Sequence, residues 1–253
     1  MEQTVRTGCF IDEFDGLYPG TWHLFYGPDG SGKTLGCLVI ALSFLSQYPD
    51  RHALFIEAET PSAHGTRIMA GKLADRLGFK DSLSRLVFVD GFSSIAQLHD
   101  FFLDRNKEKS LSGLFKKFDV GMFIIDSLTK FYAKELGRAI PKMRPVIASE
   151  YGAKYFHTWY DHLSEVMLMT EPFPVLATAW LKSNRIAQLL SKTTEKEADE
   201  MFSEEESDRE FVGGKHIAHL CKVRYRVMRR EFVIIYTQTR GPYMGKSVQF
   251  SLI

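Results

Sequence analysis

The chain has only three cysteines among 253 residues, at 9, 37 and 221. That set is odd in number and scattered, so it excludes a disulfide framework and a cysteine-rich metal site, and it fits a reducing interior. It also lacks a long apolar run. The longest, Leu35–Leu45, covers about half of a membrane span. The N-terminus carries Glu2 and Arg6 where a secretory leader would be apolar. These absences predict a soluble, cytoplasmic protein with no membrane association. There is no excess charge of either sign: 32 Lys+Arg stand against 31 Asp+Glu, a net of +1, which excludes a histone-like polycation. No internal repeat and no proline-rich linker divides the chain. A 45% hydrophobic content excludes wholesale disorder and suffices for one large core.

What is present alternates between strand-like and helix-like segments. Apolar runs at His23–Tyr26, Ala53–Ala58, Leu86–Val89, Gly121–Ile125 and Pro174–Ala179 read as buried strands. Between them, Leu35–Gln47, Arg67–Leu77, Ser94–Asn106 and Pro145–Met169 read as helices. This order predicts an α/β fold with a mostly parallel central sheet flanked by helices on both faces. The last forty residues change character. Cys221–Val227, Phe232–Thr239 and Ser247–Leu252 predict a C-terminal antiparallel meander. The alternation places Lys222, Arg224 and Arg226 on one side of its first strand. Ahead of it, Ser191–Glu210 holds nine acidic and three basic residues, a net of −6. It lacks apolar periodicity, so a flexible acidic loop is expected at about 185–212 inside a single domain spanning 1–253.

Gly27-Pro28-Asp29-Gly30-Ser31-Gly32-Lys33-Thr34 satisfies G-x-x-x-x-G-K-[ST] after a strand and before a helix, the context a phosphate-binding loop requires. Glycines let backbone N–H groups curl around phosphate oxygens, and the following helix points its positive end at them. Lys33 can bridge the β- and γ-phosphates of ATP, and the Thr34 hydroxyl can ligate Mg2+. Asp126, closing an apolar strand, is the second metal-site candidate. A water-activating carboxylate is expected on a neighbouring strand. Glu57 and Glu59 both qualify, and period-two spacing places them on the same side.

Together these motifs resemble the RecA/RadA family of recombinase ATPases, a RecA-like P-loop NTPase fold. The resemblance runs through Thr7-Gly8-Cys9, Asp12, Gly16-Leu17 and Pro19-Gly20, the Gly-Ser-Gly-Lys-Thr loop, Phe55-Ile56-Glu57-Ala58-Glu59, Ile124-Ile125-Asp126-Ser127-Leu128, Gly213-Gly214-Lys215, Gly241-Pro242 and Ser247–Leu252. It selects Glu59 as the catalytic base beside Lys33. It also implies a first DNA loop near Lys130, Lys134, Arg138, Lys142 and Arg144, whose first three recur at helical spacing. Lys222, Arg224, Arg226, Arg229 and Arg230 form a second basic cluster; Lys222, Arg224 and Arg226 are its candidate DNA contacts, and an acidic partner or the nucleotide of a neighbouring subunit is the alternative for the cluster.

The departures are informative. Twenty-six residues precede the P-loop, too few for the N-terminal helical domain of RadA. The family's polar sensor after the fifth strand falls on Ala179-Trp180, and the second DNA loop carries the acidic block. The implied function is therefore a short RadB-type paralogue: ATP-binding, weakly hydrolysing, and acting in homologous recombination and DNA repair. Its expected partners are single-stranded DNA, the main recombinase or another paralogue, with self-association open. A KaiC-like ATP-dependent regulator that uses partners without DNA is the alternative, and a replicative-helicase-like motor ranks below both. His216, His219 and Cys221 lack a fourth ligand for a metal. Trp22, Trp159 and Trp180 read as packing residues, and Phe10, Phe14 and Leu17 as buried rather than as a docking ridge.

Overall fold

The computed structural model describes residues 4–60, 62–104, 108–128, 157–167, 170–180 and 220–251. The basic candidates Lys130, Lys134, Arg138, Lys142 and Arg144 and the acidic block 191–210 lie outside these residues, as do His216 and His219. The strands are β1 (Trp22–Gly27), β2 (His52–Glu57), β3 (Leu86–Val89), β4 (Val120–Asp126), β5 (Val175–Trp180), β6 (Val223–Arg230), β7 (Val233–Arg240) and β8 (Ser247–Ser251). They form one sheet in the order β3-β2-β4-β5-β1-β6-β7-β8. From β3 to β6 all neighbours are parallel, and β6–β7 and β7–β8 are antiparallel. The predicted parallel sheet and closing meander are both present.

Central parallel strands are covered on both faces, so they read as continuous apolar runs. In β1, Trp22, Leu24 and Tyr26 face one core and Phe25 the other. The first core is filled by α4 (Ile95–Leu103), α5 (Leu111–Lys117) and the helical stretch at 157–167, with Phe102 stacked on Trp159 at 5.1 Å between ring centroids. The second is filled by α1 (Lys33–Gln47), which buries Cys37 to Leu45 against Phe25, Phe55 and Ile124, and by α2 (His64–Leu77) through Ala70 and Ala74. A four-residue helix, α3 (Lys80–Leu83), follows α2.

Helix ends follow local chemistry. The Ser94 hydroxyl accepts from the Gln97 N–H at the start of α4, and the Ser110 hydroxyl does the same for Gly113 at the start of α5. The sequence reading missed α5. Its seven residues are too short for a clear amphipathic period, although Ser110 at its start and Lys116 and Lys117 in its last turn are the expected end signals.

Phe10, Phe14 and Leu17 are buried, as expected. Phe10 lies in a 3-10 turn (Phe10–Phe14) and stacks on Tyr236 at 4.2 Å. The Asp12 carboxylate holds that turn by accepting from the N–H groups of Thr7 and Gly8. Among the described residues no helix is long and apolar enough to cross a membrane.

Candidate nucleotide site

The parallel strands β1, β2, β4 and β5 all end at one edge of the sheet. Register places Glu57 opposite Asp126 and Gly27 opposite Trp180. The topology thus gathers the loop Gly27–Thr34, the end of β2 and the end of β4, which lie far apart in sequence. This is the edge where open α/β sheets bind ligands.

The loop's shape depends on two glycines. A Cβ on Gly27 would collide with the Val227 carbonyl, so only glycine fits where β6 presses on the loop. Gly32 has φ of 100°, in the left-handed region, and a Cβ there would meet the Ile234 side chain of β7. Lys33, the first residue of α1, is buried. Its Nζ donates to the carbonyls of Gly27 (2.9 Å) and Pro28 (2.8 Å). Burial pulls its pKa down, against the attraction of Asp126, Glu59 and Asp29. The Ser31 hydroxyl is buried without a hydrogen-bond partner among the described residues.

Thr34 and Asp126, 92 positions apart, meet directly: the Thr34 hydroxyl donates to Asp126 Oδ2 at 2.6 Å. The other oxygen, Oδ1, accepts from the Thr178 hydroxyl of β5. Asp126 is only 2% exposed. Burial raises its pKa, while the two hydroxyl donors and Lys33 oppose the rise. A carboxylate beside a threonine hydroxyl and next to a buried lysine is a donor set of the kind that holds Mg2+ together with phosphate oxygens. The partnerless Ser31 hydroxyl and the glycine cradle fit an anion at the same place. The residues present therefore suit a nucleotide with its metal.

The two glutamates are not equivalent. Glu57 is 2% exposed, and its carboxylate is fully engaged. Oε1 accepts from the N–H groups of Glu59 and Thr60, both at 2.9 Å, and Oε2 accepts from the Thr66 hydroxyl of α2 at 2.6 Å. Burial raises its pKa, and those donors counter the rise. Glu57 fixes the turn that carries Glu59. Glu59 itself is half-buried and close enough to Lys33 to attract its charge.

No protein-family model and no curated protein matches the chain. Among solved structures it is similar to the RadB recombinase, with a TM-score of 0.58 and 18% identity over 99% of this chain and 96% of that one. The fold is RecA-like. At that identity the likeness is one of fold, and it covers the sheet, its flanking helices and the C-terminal meander.

Within this RecA-like fold, Gly27, Pro28, Asp29, Gly30, Ser31, Gly32, Lys33 and Thr34 form one loop, with Asp126 and Glu59 near Lys33. Thr178 was not singled out from the sequence. The basic strand divides. Lys222 is exposed and Arg226 half-buried, but Arg224 is 2% exposed and donates through Nε to the Cys221 carbonyl at 3.2 Å. Arg224 is thus buried rather than presented to a phosphate in solvent. Among the described residues no cluster of three or more His, Cys, Asp and Glu can hold a metal. Cys221 is a buried thiol whose pKa burial pushes up to about 12.

Proposed function

We propose that this chain is an ATP-binding, weakly hydrolysing recombinase paralogue that serves homologous recombination and DNA repair through single-stranded DNA or the main recombinase. The observation that carries the nucleotide reading is the Thr34–Asp126 hydrogen bond beside Lys33. It joins a complete phosphate-loop motif to the metal carboxylate on a RecA-like fold. The recombination reading is supported by the similarity in fold to the RadB recombinase.

In this reading the loop's N–H groups and Lys33 bind the phosphates, and Lys33 exchanges its carbonyl partners for phosphate oxygens. Thr34 and Asp126 would hold Mg2+, which would supply positive charge against that of the phosphates. Glu59 orients a water and accepts its proton, and Glu57 keeps Glu59 in place. Weak turnover is expected because β5 ends on Ala179-Trp180, residue types without the amide or hydroxyl of the family's polar sensor. Thr178 is held on Asp126 instead.

The test is binding of a fluorescent ATP analogue with Mg2+, followed by salt-dependent binding of single-stranded DNA. Lys33→Ala is expected to weaken nucleotide affinity by at least about tenfold, the loss of one charge-assisted contact. Unchanged affinity overturns the nucleotide site.

A further inference from the structure

β6 and β7 are joined by a two-residue turn, Glu231–Phe232, between the paired Arg230 and Val233. Turns of this length favour asparagine and glycine, because the backbone must enter the left-handed region. Here Glu231 takes that conformation, with φ of 50°. Phe232 beside it is 58% exposed, Met228 is 39% exposed, and Arg229 and Arg230 are both exposed. The tip therefore presents a bare aromatic, a thioether and two guanidinium groups against one carboxylate. The core buries none of these side chains. Arg229 and Arg230 are adjacent in a strand, so they leave it on opposite faces and flank the turn. The Arg229 Nε donates to the Glu231 carbonyl at 3.1 Å, which holds that guanidinium over the turn.

The tip's position matters. β6 runs parallel to β1, so its C-terminal end lies at the sheet edge that carries the phosphate loop. Val227 abuts Gly27, and Ile234, paired across the hairpin with Arg229, abuts Gly32.

We propose that this hairpin tip is a contact for single-stranded nucleic acid, with Phe232 stacking on a base and Arg229 and Arg230 pairing with flanking phosphates. One Phe and one Met expose far too little apolar area for a stable protein interface. A base needs only one aromatic face, and the adjoining cations match its phosphates. A duplex conceals its base faces, so the aromatic selects single strands. Arg229 and Arg230 end the basic cluster that begins at Lys222, and Phe232 is what the tip adds to it.

This inference rests on the nucleic-acid reading above. The test uses the full chain and a fluorescein-labelled oligothymidylate, with anisotropy read across about 50 to 200 mM salt. Phe232→Ala is expected to weaken binding about 5- to 150-fold, the range for one lost base stack, with the salt slope unchanged. Phe232→Trp retains affinity. The double variant Arg229→Ala/Arg230→Ala lowers the magnitude of the slope by about 1.4, from about 0.7 per single-strand phosphate contact. All three sites are exposed, and an unchanged melting temperature confirms folding.

Absence of wild-type binding overturns both this inference and the nucleic-acid reading. Wild-type binding that no variant alters overturns the tip alone. Loss of co-purifying protein in Phe232→Ala, with oligothymidylate binding intact, also overturns it and makes the tip a protein-docking site.

Discussion

Replacing Glu59 and Glu57 in turn separates the chemistry of the site from its scaffolding. Glu57→Gln keeps an amide oxygen that can accept from the N–H groups of Glu59 and Thr60. Its amide N–H then faces the Thr66 hydroxyl, which can rotate to accept. What is lost is the extra strength of a charge-assisted acceptor, about 1 kcal/mol of stability. Glu57→Ala instead leaves two backbone donors without their acceptor. That costs about 2 to 4 kcal/mol and frees the turn that carries Glu59. Glu59→Gln keeps the shape and the nucleotide contacts but cannot take a proton from water, so hydrolysis is expected to fall by about 10²- to 10⁴-fold.

The assay is single-turnover hydrolysis of radiolabelled ATP with Mg2+, run beside affinity for a non-hydrolysable analogue and a melting curve. The expected pattern is three-fold: Glu59→Gln binds but does not cleave, Glu57→Gln cleaves at nearly the wild-type rate, and Glu57→Ala loses rate and stability together. If Glu57→Gln abolishes cleavage at full affinity while Glu59→Gln retains it, the roles are reversed and the reasoning from hydrogen-bond saturation is refuted.

Thr178→Val should raise the Mg2+ needed for half-maximal nucleotide binding by about 10- to 100-fold, because Asp126 loses the donor that orients it. A magnesium titration with an unchanged midpoint would contradict that role. Stability should also depend on pH through His23. This ring is fully buried, accepts from the Tyr18 N–H, and has its pKa pulled by burial from 6.5 to about 4. The unfolded chain therefore takes up a proton below pH 6.5 that the folded chain refuses until about pH 4. The contribution is whole above pH 6.5 and is lost as the pH falls toward 4, by about 3 kcal/mol in all. A urea midpoint that stays flat from neutral pH to about 4.5, or a His23→Gln variant that keeps the full wild-type slope, counts against it.

How far the site was legible in the sequence depends on what period two can tell. The loop from Gly27 to Thr34 is a contiguous motif, and its glycines are needed by contacts with β6 and β7 that the motif anticipates only in type. Asp126 was legible because an apolar run ends on it. Glu57 and Glu59 were not separable by spacing. The difference lies in the turn after β2, where Glu57 turns inward to bind three donors. Thr178 had an available signal. In β5 it alternates with Ala177 and Ala179, which face the first core, so it faces α1, as Asp126 does when counted from Ile125. A hydroxyl in an otherwise apolar strand, on the same face as the phosphate loop, marks a partner for that carboxylate.

The same alternation misled at Arg224, because it assigns a face without saying whether the face is covered. β6 pairs with β1 from Val223 to Arg226, and there both faces are packed. β1 ends at Gly27 because the phosphate loop begins there, so Val227–Arg230 overrun it and, among the described strands, pair with β7 alone. One run of basic residues is thereby divided by the end of its neighbour: Arg224 is covered, Arg226 half-covered, Arg229 and Arg230 in solvent. Two requirements set that division. The loop needs a glycine where Val227 presses on it, and the meander needs a β6 longer than β1. Together they place the exposed arginines and Phe232 beyond the rim of the nucleotide site.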